Sequence, residues 1–316
     1  MTNKIYTLLL FILLALHANS QDGRILKQTP YFLADSSIKM LEQTIPNISS
    51  IINTVDFFSI IYLSSGLKIN GYLATPKKSG KYPCVIFNRG GNRDFGAIND
   101  MSLVRFLGEM ASWGYVAVGS QYRGNMGGEG QEEFGGNEVN DIINLIPLLS
   151  NLDNADTSRI GMYGWSRGGM MTYLALTKTC RIKAAVVGSG MTNGFITTSK
   201  RPEMDSVFAA LAPGYSLNRD SVLKTRSAVY FADKICNTTP LLLLTGSADW
   251  RVTPDEQLEM VNKLYALKQP LRFELFEGGQ HSLIEYLDEV NHAAKSFLDK
   301  YVRDKKNFPS LTPHGK

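Results

Sequence analysis

The stretch RIGMYGWSRGGMMTYLAL, residues 159–176, decides the fold. Its first part is short and apolar and reads as a buried strand; its second part repeats apolar residues at helical spacing. Between them stands Gly164-Trp165-Ser166-Arg167-Gly168, a G-x-S-x-G match. The pattern alone is weak, since about one chain in five of this length and composition carries it by chance. Its setting gives it meaning. A strand that turns sharply into a helix at a serine strains that serine's backbone and lifts its hydroxyl to the sheet edge. Glycines at 164, 168 and 169 omit the side chains that would collide where helix and strand close together.

The same alternation continues outward on both sides. Short apolar or alternating runs at 55–63, 67–75, 84–88, 115–120, 183–188, 240–245 and 271–276 join 159–164 as predicted strands. The middle ones (CVIF, YVAVGS, AAVVG, LLLLT) are apolar without a break, as strands buried on both faces of a parallel sheet are. The first two flank Ser64-Ser65-Gly66 and predict an antiparallel hairpin at the sheet edge. Helical periodicity covers 97–112, 137–151, 167–178, 254–267 and 283–301, with Pro254 in a first turn, where its missing N–H costs nothing. Strand alternating with helix predicts a doubly wound, mostly parallel α/β sheet of eight strands.

Residues 190–238 break this rhythm. They are rich in Thr, Ser, Met and aromatics, and they predict a small cap over the carboxyl ends of the strands, where open α/β sheets bind ligands. Residues 21–54 read as an N-terminal extension of short helical segments. The catalytic domain is expected over 55–304, and 305–316 form a tail without structure.

Composition excludes several function classes. With 44% apolar and 20% charged residues, the 316-residue chain can bury a large core. The net charge of +4 is spread along the chain, so no block of like charge selects nucleic acid or a lipid surface. Lys4, the apolar run Ile5–Leu16 and the small residues Ala18 and Ser20 predict a secretory signal peptide cut after Ser20. That run is too short to span a bilayer, so a secreted or periplasmic protein without stable membrane association is expected. Cys84, Cys180 and Cys236 are no disulfide framework, although one bridge, Cys180–Cys236, is possible. Neither an HExxH motif nor paired Cys/His spacing is present, so no metal and no cofactor is expected.

A serine hydroxyl is a poor nucleophile near neutral pH and needs an adjacent base. After residue 20 the histidines are His281, His292 and His314. His314 lies in the tail and His292 inside the last helix. His281 follows the strand RFELFE and the turn Gly278-Gly279-Gln280, which makes it the expected base. The base needs a carboxylate to fix its tautomer. Asp249 follows the strand LLLLT and gives the chain order Ser, Asp, His; its competitor, Asp255, stands at a helix start where an acid favours the dipole. Charge developing on the substrate oxygen needs preorganised donors. The backbone N–H of Arg167 and that of Arg89, at the start of the turn Arg89-Gly90-Gly91-Asn92, are the candidates. Trp165, Met191, Phe195 and Trp250 are candidates for the substrate pocket.

Taken together, four stretches in order resemble the catalytic domain of the prolyl oligopeptidase family, over residues 55–301. They are YPCVIFNRGGN (82–92), YRGNMGGEGQEEFGGNEVNDI (122–142), DTSRIGMYGWSRGGMMT (156–172) and PLLLLTGSADWRVTPDEQ (240–257), with GGQH (278–281) beyond. The resemblance implies an α/β-hydrolase fold, Ser166 as nucleophile with Asp249 and His281 as its partners, and the Arg89 loop as oxyanion donor. The family's large peptidases carry an N-terminal β-propeller, for which 21–54 leaves no room. Many members place Tyr or His where Arg89 stands, so a side-chain donor is missing here. Post-proline members line their pocket with Trp-x-x-Tyr, where this chain has GMTNGFITT (190–198) with Phe195 its single aromatic residue. A serine hydrolase acting on small peptides is therefore expected, with a carboxylesterase as the alternative substrate class. A non-catalytic binding protein on the same fold is the alternative from another class.

Overall fold

Residues 21–45 and 47–315 are described by the computed structural model. The expected signal peptide, residues 1–20, lies outside them. Nine strands form one sheet: β1 (Ile25–Pro30), β2 (Val55–Ser64), β3 (Leu67–Pro76), β4 (Tyr82–Asn88), β5 (Val116–Ser120), β6 (Ala155–Trp165), β7 (Ile182–Gly188), β8 (Leu241–Gly246) and β9 (Leu271–Phe276). Their spatial order is β1-β2-β3-β5-β4-β6-β7-β8-β9. The first three and β5 pair antiparallel. From β5 onward every neighbouring pair is parallel.

Unbroken apolarity in the central strands has a direct structural cause. Along β4, Cys84 and Ile86 enter one core while Val85 and Phe87 enter the other; along β8, Leu241 and Leu243 part from Leu242 and Leu244 in the same way. Side chains alternate across a strand, so a strand covered on both faces must be apolar at every position. One face is covered by the helices Arg167–Leu176, Val139–Ile143 and Leu145–Ser150, the other by Leu287–Leu298 and the helical stretch Asp100–Ser112.

One expectation fails at the edge. The sheet has nine strands, not eight, and the β2–β3 hairpin is covered on its outer side by β1. Strand β1 comes from the N-terminal extension, where only helical segments were expected; Asp35–Leu41 and Ile48–Thr54 do form there. Five of its six residues are exposed, so it is held by backbone pairing to β2 and leaves no hydrophobic pattern to read.

The strand order reverses around β4, with β5 on one side and β6 on the other. Loops leaving β4 and β6 at their carboxyl ends therefore lie side by side, at the crevice where open sheets receive ligands. Between β7 and β8 the chain makes an excursion through the helices Gly194–Lys200, Glu203–Leu211 and Arg219–Thr225. Cys180, just before β7, and Cys236, near the end of the excursion, are joined as a disulfide with Cα atoms 5.4 Å apart.

Candidate active site

Ser166 sits between β6 and its helix with φ 57° and ψ −125°. A β-carbon in that region is strained by about 1–3 kcal/mol and persists only where neighbours fix it. Here the Ser166 N–H donates to the Gly188 carbonyl at 2.9 Å, and the Ser166 carbonyl accepts from Gly169 at 2.8 Å and Met191 at 3.2 Å. Gly168 makes the turn possible, because a methyl group there would run into the Asn88 carbonyl of β4.

Three distant side chains meet at this turn. His281 Nε2 stands 2.9 Å from Ser166 Oγ, and His281 Nδ1 stands 2.8 Å from Asp249 Oδ2. Asp249 is 3% exposed, and its other oxygen, Oδ1, accepts the backbone N–H groups of Arg251 at 2.8 Å and Val252 at 3.0 Å. A carboxylate only accepts, so Nδ1 carries the proton and Nε2 presents its lone pair to the serine hydroxyl. The loop bearing His281 is held from below: Trp165 Nε1 donates to the His281 carbonyl at 3.0 Å and Arg105 to the Ser282 carbonyl at 2.6 Å.

Arg89 does not offer its side chain to the site. Its guanidinium is buried and donates to the carbonyls of Gln121 (2.8 Å), Arg93 (2.9 Å) and Gly90 (3.1 Å). Burial, helped by the neighbouring Arg167 charge, pulls it down to about 10. The turn after Arg89 packs closely on the serine: a methyl group at Gly90 would stand 3.2 Å from Ser166 Cβ and 3.7 Å from Oγ. Opposite it, the N–H of Arg167 is the first of its helix and has no intrahelical acceptor.

The Arg167 side chain ties these parts together. Its guanidinium donates to the Gly91 carbonyl at 2.8 Å and to Glu138 at 2.7 Å, pairs with Glu132, and lies 4.5 Å over the Phe134 ring. Glu132 in turn accepts the Arg93 N–H at 2.7 Å. The turn after β4 and the serine turn are thus cross-braced through the loop after β5. None of this was assigned from the sequence; the signal was the acidic run EGQEEFGGNE (129–138) within one of the four matching stretches.

A cavity of about 280 Å³ opens at Ser166 and His281. Its apolar wall is Phe95, Phe106, Phe134, Trp165, Met191 and Met204. Of the expected pocket residues, Trp165 and Met191 line it, and Phe195 and Trp250 do not. Phe195 points to the far side of its helix, against Tyr230 with ring centroids 5.7 Å apart, while Thr197 and Arg201 of the same helical segment face the cavity. Trp250 is 60% exposed at the rim, with the Arg201 and Arg251 guanidiniums 5.4 and 5.0 Å from its ring centre.

Glu256, absent from the sequence reading, holds the excursion's first turn. It is fully buried and accepts the N–H groups of Asn193 at 2.9 Å and Thr192 at 3.1 Å, with the Thr197 hydroxyl at 3.3 Å. Burial pushes its carboxyl up to about 8.

The family model described as "Prolyl oligopeptidase family" matches residues 106–305. An uncharacterized peptidase of Bacillus subtilis, YtmA, is 30% identical over 218 residues, covering 69% of this chain and 82% of that protein. Among solved structures, the Pyrococcus horikoshii acylaminoacyl peptidase superposes with a TM-score of 0.69 at 21% identity, covering 89% of this chain; the chain spans 46% of that protein's length. The acetyl xylan esterase of Paenibacillus sp. R4 superposes with a TM-score of 0.63 at 18% identity, covering 90% and 92%. At these identities the two structures speak for the fold alone.

Proposed function

The chain belongs to the prolyl oligopeptidase family and is a hydrolase of that family, and from that premise we propose that it is a serine peptidase acting on small peptides through Ser166, His281 and Asp249. The observation that carries the reading is the continuous relay from Ser166 Oγ through both nitrogens of His281 to Asp249, at 2.9 and 2.8 Å. In the first half-reaction His281 Nε2 takes the hydroxyl proton as Ser166 Oγ bonds to the substrate carbonyl carbon. Asp249 holds the imidazolium that forms. Electron density shifts to the carbonyl oxygen, which receives the Arg167 N–H on one side and a donor from the Arg89–Gly91 turn on the other. Collapse of the tetrahedral adduct breaks the scissile bond, and His281 returns its proton to the leaving group. Water, deprotonated by the same nitrogen, then releases the acyl group and restores Ser166.

A carboxylesterase is the second reading, favoured by one feature of the cavity: among the described residues no Asp or Glu lines it to hold a peptide's free amino terminus. The Cys180–Cys236 disulfide supports export to an oxidising compartment, the localisation we propose.

A fluorophosphonate probe tests the nucleophile. We expect the wild-type protein to be labelled and Ser166→Ala to remain unlabelled, with turnover lost by about 10⁴-fold or more. Equal labelling of both proteins would end the proposal. Turnover of N-blocked peptidyl arylamides against acyl esters then separates peptidase from esterase.

A further inference from the structure

The charges that line the cavity are all of one sign. Four arginines, Arg89, Arg167, Arg201 and Arg251, contribute to its wall, and among the described residues no aspartate or glutamate does. Two of them are engaged from behind: Arg89 by backbone carbonyls, Arg167 by Glu132 and Glu138. Arg201 and Arg251 stand at the mouth. Arg201 donates from Nε to Glu203 at 2.8 Å, an acid 59% exposed on the outer side, and its terminal nitrogens donate no bond to it. Arg251 pairs with no carboxylate among the described residues. Both guanidiniums are steadied against Trp250.

Resting on the hydrolase reading above, we propose that Arg201 and Arg251 form an anion-binding subsite at the cavity mouth, which takes the carboxylate of a substrate whose apolar body fills the Phe106–Phe134–Met191 wall. The physical reason is the imbalance. A cleft lined by one sign of charge with apolar walls concentrates the field and selects the opposite charge. Guanidinium is the side chain that meets a carboxylate with paired N–H donors at least desolvation cost. A free ammonium group in the same space meets the Arg201 and Arg251 guanidiniums at the mouth and no carboxylate in the wall. The substrate class is therefore a small acylated molecule with an aromatic or aliphatic body and a carboxylate within one cavity length of the scissile carbonyl. A peptide with a free amino terminus in this cavity is disfavoured.

Binding of three small competitors reads the subsite without chemistry: 3-phenylpropanoate, 3-phenylpropanol and 3-phenylpropylamine, titrated by calorimetry into wild-type protein. We expect the carboxylate to bind about ten-fold tighter than the alcohol, equivalent to about 1.4 kcal/mol, and the amine weakest of the three. Added salt should narrow the gap. Arg201→Gln and Arg251→Gln should each reduce the carboxylate-to-alcohol ratio, and Arg201→Lys, which keeps the charge, should restore part of it. Equal affinities for carboxylate and alcohol overturn the proposal. So does a ratio that both glutamine variants leave untouched, since the carboxylate then sits at the serine turn. Fluorophosphonate labelling of the same samples keeps the two readings apart: a carboxylate preference in protein that is never labelled at Ser166 upholds the subsite and ends the hydrolase assignment.

Discussion

On one side of the cavity, Gly90, Ser166, Asp249 and His281 leave the carboxyl ends of β4, β6, β8 and β9. On the other, Met191, Thr197, Arg201 and Met204 hang on the helical excursion between β7 and β8. The first group is positioned by ladder hydrogen bonds that run the length of the sheet, such as Asn88 beside Gly164 and Gly246 beside Phe276. The second is positioned by a few side chains, chiefly Glu256. The difference teaches a division of labour. Reacting groups stand where the backbone itself sets distances, and recognition groups stand where a substitution can move the wall without disturbing the sheet.

That division can be broken at its strongest point first. Asp249→Asn should lower turnover by about 10⁴-fold, because the amide no longer selects the tautomer that leaves Nε2 free. The measurement is kcat on the best substrate of the ester and peptide panel, with the melting temperature read alongside. A loss below ten-fold would remove the sheet edge from the chemistry.

Next comes Glu256→Gln. Burial raises the carboxyl from 4.5 to about 8. The folded protein keeps a proton that the unfolded chain releases above pH 4.5. Its contribution to stability is therefore complete below pH 4.5 and is lost as pH rises to about 8. Between pH 5 and 8 the wild-type protein should lose on the order of a few kcal/mol relative to the glutamine variant. Denaturant titrations at both pH values check this; parallel pH profiles would place the clamp elsewhere.

The smallest effect is expected at Trp250. Its ring orients two rim guanidiniums from an exposed position, where such contacts contribute about 0.5–1 kcal/mol. Trp250→Ala should reduce the carboxylate-to-alcohol binding ratio by about three-fold. A larger fall would make the tryptophan itself part of the wall.

Legibility in the sequence follows the same line. Strands β4, β5, β7 and β8 are readable because burial on both faces leaves unbroken apolar runs, and β2, β3 and β9 because their apolar residues alternate; Ser166, Asp249 and His281 are readable because each follows a legible strand. Strand β1 is not, since ILKQTP pairs through its backbone with one side chain half-buried. Phe195 and Trp250 are expected to flank the site, yet helix phase turns Phe195 away toward Tyr230, and Trp250, in the turn after β8, stays exposed at the rim. The brace from the Arg167 side chain to Glu132 and Glu138 is not legible because it joins residues 35 and 29 positions apart, a relation only the folded chain displays.

The Cys180–Cys236 bond spans 56 positions and closes a covalent hoop. Strand β7 and every wall residue from Met191 to Met204 lie inside it. In the chain-entropy account, a hoop of this size restrains the unfolded polypeptide by about 4 kcal/mol. A single backbone cut within the hoop would leave both fragments attached, each still paired into the sheet. The recognition wall is thus the one part of the cavity that could be nicked without parting from the enzyme.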